Sequence, residues 1–155
     1  MQMNDITVYN VNINKPFFSQ FLSLPDSFKV LERSWYPEFL DQIKKDTLLD
    51  IDVTNARVNR TVFENTGNDF PWHDHTGLGS EEAANKQSGT YSGILWLSGN
   101  TNTGGSLEVM SDNDITSIDF EVGKFIIIKN NVFHKVSHYY GAIPRVSLII
   151  AFDIL

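Results

Sequence analysis

Beyond residue 56 the chain breaks into short apolar-rich segments, most of them closed by glycine, asparagine or aspartate. They lie at 57–63, 91–97, 106–110, 125–129, 132–136 and 145–153, with turn-forming stretches at 65–69 and 98–105. None is long enough for an ordinary helix, and β-branched and aromatic residues dominate them, so they read as strands. Strands this short must bury one face against a second sheet, which predicts an all-β sandwich or barrel. The first third is different. Residues 6–13 alternate apolar and polar and predict a strand. Residues 16–24 predict a short helix with Pro16 in its first turn. Residues 37–49 predict a longer one. Pro37 suits its first position, Glu38 its first turn, and Phe39, Leu40, Ile43, Thr47 and Leu48 form its apolar stripe, with Lys44 and Lys45 toward the C-terminal half. The expectation is one mainly-β domain over 1–155, with a helical front over about 1–50 and a β core over about 51–155. The polar stretch 77–88 has no period and reads as a long loop, either a lid or a solvated connection.

Composition removes several function classes. The chain has no cysteine, which excludes disulfides, zinc–thiolate sites, iron–sulfur clusters and thiol catalysis. Twelve basic against nineteen acidic residues give a net charge of −7, which disfavours sequence-independent binding to nucleic acid. No apolar run is long enough to span a membrane and the first residues lack a basic patch followed by an apolar stretch. A cytoplasmic location is therefore expected.

The four histidines fall in two clusters, His73 and His75 in one, His134 and His138 in the other. A single histidine is usually structural. A His-x-His pair on an extended segment is different, because residues two apart face the same way. Two imidazoles from one segment and a third from a distant strand can hold a metal, and without cysteine the ligands must be imidazole or carboxylate, a set suited to iron, manganese, copper or zinc. His134 and His138 are four residues apart, about 13 Å when extended, too far to share one ion easily. His134 lies within an apolar strand and is the better third ligand, whereas His138 sits at a turn. Asp74 is the nearby carboxylate, but it points to the opposite face from its neighbours.

Arg145 follows His134 after ten residues, and Ser147 lies two further on, facing the same way. If 132–136 and 145–153 are adjacent antiparallel strands, an arginine and a hydroxyl converge near the metal and suit a dicarboxylate. Taken alone, Arg145 reads more readily as a structural partner for one of the nineteen acids. Arg57 and Arg60 are the next cations to consider. Tyr91 and Trp72 are candidate pocket aromatics, although such residues more often pack in a core.

The ordered set His73-Asp-His75, Gly104-Gly-Ser-Leu107, Val122-Gly-Lys-Phe-Ile-Ile-Ile128, His134-Lys-Val136 and Arg145-Val-Ser-Leu148 resembles the iron(II)/2-oxoglutarate-dependent dioxygenases, and most of all their prolyl-4-hydroxylase-like branch. The resemblance covers about residues 57–153. It implies a double-stranded β-helix, or jelly roll, with the helices packed on one face. It implies Fe(II) held by His73, His75 and His134, with 2-oxoglutarate and O2 in the remaining positions. It also implies that Arg145 and Ser147 receive the far carboxylate of 2-oxoglutarate and that Tyr91 lines its pocket. The reaction would hydroxylate a substrate, with a peptidyl prolyl side chain the family's suggestion, and release succinate and CO2. One departure is plain: the family's pattern has aspartate where this chain has His75, and its nearest carboxylate, Asp74, comes one residue early.

Two other classes compete. Gly67 followed by His73-Asp-His75 also resembles the start of a cupin metal motif, but the glutamate such a motif needs comes late, at Glu81, and Lys129-Asn-Asn-Val-Phe133 replaces its second half. A non-enzymatic β-sandwich binding module would leave the histidines incidental. Metal content and succinate release separate the three.

Overall fold

The computed structural model describes residues 5–24, 36–63, 70–73 and 90–155. Among them are two helices and nine strands: β1 Ile6–Asn10, α1 Pro16–Leu22, α2 Tyr36–Thr47, β2 Arg57–Phe63, β3 Phe70–His73, β4 Tyr91–Ser98, β5 Leu107–Ser111, β6 Asp114–Ile118, β7 Lys124–Lys129, β8 Phe133–Val136 and β9 Arg145–Phe152. Pairing is antiparallel throughout. The strands form a five-stranded sheet in the order β1-β7-β4-β9-β2 and a four-stranded sheet in the order β3-β8-β5-β6. Neither helix is long and apolar enough to cross a membrane.

The larger sheet is buried on both faces, and the period of two in its strands divides it between two apolar layers. On one face Val58, Leu95, Phe125, Leu148, Ile150 and Phe152 meet Phe18 and Phe21 of α1 and Phe39, Leu40 and Ile43 of α2. Phe39 stacks on Phe18 at 5.5 Å and meets Phe21 edge-on at 5.3 Å, which locks the two helices together over the sheet. On the other face Ile94, Trp96, Ile126 and Ile128 pack against Leu107, Val109, Ile118 and Val136 of the smaller sheet. The alternation in β9 sends Val146, Leu148, Ile150 and Phe152 to the helices and leaves Arg145, Ser147 and Ile149 for the layer between the sheets.

The helical front and the six strands expected beyond residue 56 appear with small shifts at their ends. Two differences have clear causes. Leu48, expected in the stripe of α2, is 89% exposed and left-handed at φ 60°, because the helix ends at Thr47 and the chain turns there. β6 was not expected. Four of its five residues are exposed, so it lacks an apolar face to betray it. Its signature is the preceding Asp112-Asn113 pair, at φ 51° and 68°, which closes the two-residue hairpin between Ser111 and Asp114. Asp112, Asp114 and Asp119 thus bracket the outer edge of the smaller sheet. The turn at 65–69 and the loop at 77–88 lie outside the described residues.

Gly93 in β4 leaves the helix-side layer no room for a side chain. A Cβ there would lie 2.4 Å from Cζ of Phe125 and 2.5 Å from its Cε1. Gly93→Ala is expected to destabilise the fold by about 1–3 kcal/mol through overpacking, read as a lower urea midpoint with unchanged slope. An unchanged midpoint would show that the ring moves aside freely.

Candidate active site

The layer between the sheets is apolar except for a small group of polar side chains. His134 enters it from β8, flanked by Val132 and Val136, and is 2% exposed. Its Nδ1 lies 3.0 Å from the Val132 carbonyl oxygen. A carbonyl can only accept, so Nδ1 carries a proton; in the neutral ring the lone pair is then on Nε2, the tautomer a metal ligand needs. The β3–β8 register sets His73 directly opposite His134. Asp74 and His75, the next two residues, lie outside the described residues, as do Gly67 and Glu81. No cluster of three metal-ligating side chains occurs among the described residues. His138 lies past the end of β8. Its backbone carbonyl accepts from the Gly105 N–H at 2.9 Å and its ring sits 6.1 Å from that of Tyr140, so it belongs to the turn and not to the layer holding His134.

Arg145 opens β9 and is 1% exposed. Its Nη1 donates to the Gly105 carbonyl at 2.7 Å, and its guanidinium carbon lies 5.1 Å from the Trp96 ring centre and 5.5 Å from that of Phe120. Here the Gly-Gly pair finds its purpose. Gly104 and Gly105 are left-handed at φ 75° and 73°, and a Cβ on Gly104 would come within 2.0 Å of the His138 carbonyl oxygen. Only glycine permits this turn, and the turn aims the Gly105 carbonyl at Arg145. Burial pushes the guanidinium down to about 10, with Tyr139 acting in the opposite direction, so it stays a cation at neutral pH. A planar, weakly hydrated cation between two π faces is the kind that tolerates such burial, and it keeps several N–H groups in one plane for an anion.

Ser147 is fully buried and its Oγ has no hydrogen-bond partner among the described residues. Trp96 stands directly across from it on β4 and Thr61 on β2, so the three form a row across three strands on one face of the sheet. Trp96 is also fully buried, and its indole Nε1 likewise has no acceptor among the described residues. Buried polar atoms are nearly always paired in native proteins, so two orphans side by side next to a buried cation call for an explanation, and a docking anion supplies one.

Other expected residues lie elsewhere. Tyr91 is on the opposite face of β4 from Trp96: it stacks on Phe152 at 5.8 Å and packs into the helix-side layer, so the structure does not bring it to Arg145. The odd–even alternation of β4 is the reason, and it also could have pointed to Trp96. Trp72 has the Lys135 ammonium 5.4 Å from its ring centre, and Lys135, adjacent to His134 on the strand, faces the other way. Arg60 is buried beside the helices, with Nη2 donating to the Leu22 carbonyl at 3.3 Å, and Arg57 is exposed, so neither substitutes for Arg145. The residues that pattern reading missed are Trp96, Phe120 and the Gly105 carbonyl, which act through contacts that only the folded chain creates.

No protein-family model matches the chain, and no curated protein matches its sequence. Solved structures do match its fold. A prolyl-4-hydroxylase from Pseudomonas putida is similar with a TM-score of 0.67 at 12% identity, over 97% of this chain and 86% of that one. A prolyl hydroxylase from Trichoplax adhaerens, in complex with a hypoxia inducible factor oxygen degradation domain peptide fragment, gives 0.67 at 14% identity, over 97% and 84%. A prolyl 4-hydroxylase from Phytophthora capsici gives 0.64 at 14% identity; 97% of this chain is covered but only 59% of that one. At such identities the likeness is one of fold.

His134→Ala is expected to abolish stoichiometric binding of a divalent metal, whereas His138→Ala retains it, as read by elemental analysis of the reconstituted proteins. The reverse pattern would move the ligand to the turn.

Proposed function

We propose that this chain is a single-domain oxygenase on a double-stranded β-helix, dependent on iron(II) and 2-oxoglutarate. The observation that carries the reading is Arg145: a fully buried cation near a Ser147 hydroxyl that has no hydrogen-bond partner among the described residues, in the same inter-sheet layer that His134 enters. Its guanidinium offers a planar set of donors in a layer where few polar groups occur among the described residues. The residues fit the groups the reading requires. His134 presents Nε2, and His73 and His75 complete the metal set on this reading, with Asp74 turned away from the ion. Arg145 and Ser147 hold the far carboxylate of 2-oxoglutarate by charge-assisted hydrogen bonds, the arginine contributing a planar set of donors and the serine one more.

Bound iron, with 2-oxoglutarate and O2, supplies the oxidising power that inserts one oxygen atom into a substrate C–H bond while the other leaves in succinate, with loss of CO2. The chain's own part is positioning and exclusion of water. Ile94, Val109 and Val136 make the surroundings apolar, which strengthens the Arg145–carboxylate attraction and keeps the cosubstrate in one orientation. We propose a peptidyl side chain as the substrate, supported by the fold shared with prolyl hydroxylases, one of which is seen with a peptide.

Arg145→Ala is expected to weaken 2-oxoglutarate binding more than tenfold and leave metal affinity nearly unchanged, since truncating one side of a buried charged pair costs about 2–5 kcal/mol. Calorimetric titration checks this, and equal affinities would reject the role. For the metal set, His75→Ala should lose iron and Asp74→Ala should keep it; the opposite result gives the position to Asp74. Succinate release from 2-oxoglutarate by the iron-loaded protein tests the reaction itself.

A further inference from the structure

We infer that the cavity between the end of α1 and the larger sheet binds a small aliphatic carboxylate, with the Arg60 guanidinium receiving the acid group. The site lies apart from the layer that holds His134 and Arg145, and the inference stands without the oxygenase reading. The cavity measures about 370 Å³, within the range of small-molecule sites. Among the described residues its walls include Leu22 at the end of α1, Arg60 and Val62 on β2, Val146 on β9, and Ile143 and Pro144 in the turn before β9. Val146 alternates with Arg145 and Ser147 along its strand, so the cavity and the inter-sheet layer lie on opposite faces of one sheet.

Arg60 is the odd residue of this wall. Val58, Arg60 and Val62 share one face of β2, and Leu148, which is fully buried, stands across from Arg60. That pattern calls for an apolar residue. The chain instead places a cation there, 7% exposed, with its guanidinium carbon 5.9 Å from the Phe21 ring centre and Nη2 donating to the Leu22 carbonyl at 3.3 Å. A guanidinium carries five N–H donors in one plane. The group that caps the end of α1 therefore also brings charge and donors to the wall of the cavity.

The rest of the wall narrows the ligand. Leu22, Val62, Ile143 and Val146 are aliphatic, and the Ser98 hydroxyl, also in the wall, donates to the Pro144 carbonyl at 2.8 Å. No acidic side chain lines the cavity among the described residues. A cation on one wall and hydrocarbon on the others match a ligand with an anionic head and a short apolar tail, and the apolar walls strengthen the attraction between the charges. One cation balances one negative charge, which favours a carboxylate over a phosphate with nearly two. Ile143, 51% exposed, stands at the rim.

The test titrates the full chain with hexanoate and with hexan-1-ol, the same carbon chain without the charge, by calorimetry. Hexanoate should bind at one site about tenfold more tightly than the alcohol, the low end for a hydrogen bond to a charged group. Arg60→Gln should remove that difference by weakening the acid alone. Arg60 is buried, so a rim variant serves if that chain fails to fold: Ile143→Glu should weaken hexanoate more than hexan-1-ol, by about fivefold, through repulsion between the two carboxylates. Isotope-labelled methyl signals locate the acid in the parent protein. Those of Val62 and Val146 should shift at saturation, and those of Val109 and Val136 in the inter-sheet layer should stay in place. Shifts at Val109 and Val136 with Val62 and Val146 unmoved would put the acid beside Arg145 and overturn the inference. Equal affinities for acid and alcohol would also overturn it, since the charge would then go unrecognised, as would the absence of saturable hexanoate binding. The oxygenase reading survives each of these results, because 2-oxoglutarate tests it and hexanoate does not.

Discussion

Pairing between β4 and β9 runs from Tyr91 opposite Phe152 to Ser98 opposite Val146, with a register shift between Trp96 and Ser98. Because each strand is covered on both faces, this one ladder fixes the helix-side layer and the inter-sheet layer together. Leu95 and Leu148 face the helices from it, and Trp96 and Ser147 face the smaller sheet. The shift falls beside the start of β9, where the Ser98 hydroxyl donates to the Pro144 carbonyl at 2.8 Å and holds the turn that delivers Arg145. Irregularities of this kind re-aim side chains, and here the irregularity sits next to the buried cation. A slip of one residue along β9 would send Arg145 and Ser147 to the helices and bring Val146 and Leu148 inward.

The inter-sheet layer gives up stability to hold its polar group. Each buried donor left without a partner costs about 1–3 kcal/mol, and a cation in an apolar layer costs more. The Gly105 carbonyl and the two aromatic faces against Arg145 meet that cost in part or whole. The surrounding core is ordinary by contrast. The phenylalanines of α1 and α2 pack on one another, and the buried Arg60 guanidinium lies 5.9 Å from the Phe21 ring centre at their margin.

Period and punctuation in the sequence made most of the fold legible. Strands with an apolar face or a continuous apolar run, such as β7 and β9, announced themselves, and the stripe Phe39, Leu40, Ile43 marked α2. What stayed hidden was whatever carries no apolar pattern: β6, whose exposed residues look like loop, and the end of α2, where Leu48 looks apolar but faces solvent. Of the candidate residues, His134, Arg145 and Ser147 were named from spacing and motif, and the structure brings them to one layer. Tyr91, named with them, stands on the other face of β4, and that could have been foreseen from the odd–even alternation of the strand. The Gly105 carbonyl could not, because a backbone acceptor at a turn has no signature beyond the two glycines that permit it.

The hairpin at Asp112-Asn113 leaves β6 as the outer edge of the smaller sheet among the described residues, the side on which an extended chain would pair. Asp112, Asp114 and Asp119 stand at the two ends of that edge, on a chain of net charge −7. Two copies approaching edge to edge would bring these carboxylates together within the roughly 8 Å over which charges act at physiological salt. The repulsion grows as salt is removed. The short acidic hairpin therefore ties the protein's colloidal behaviour to ionic strength, with crowding and high salt the conditions under which this edge loses its guard.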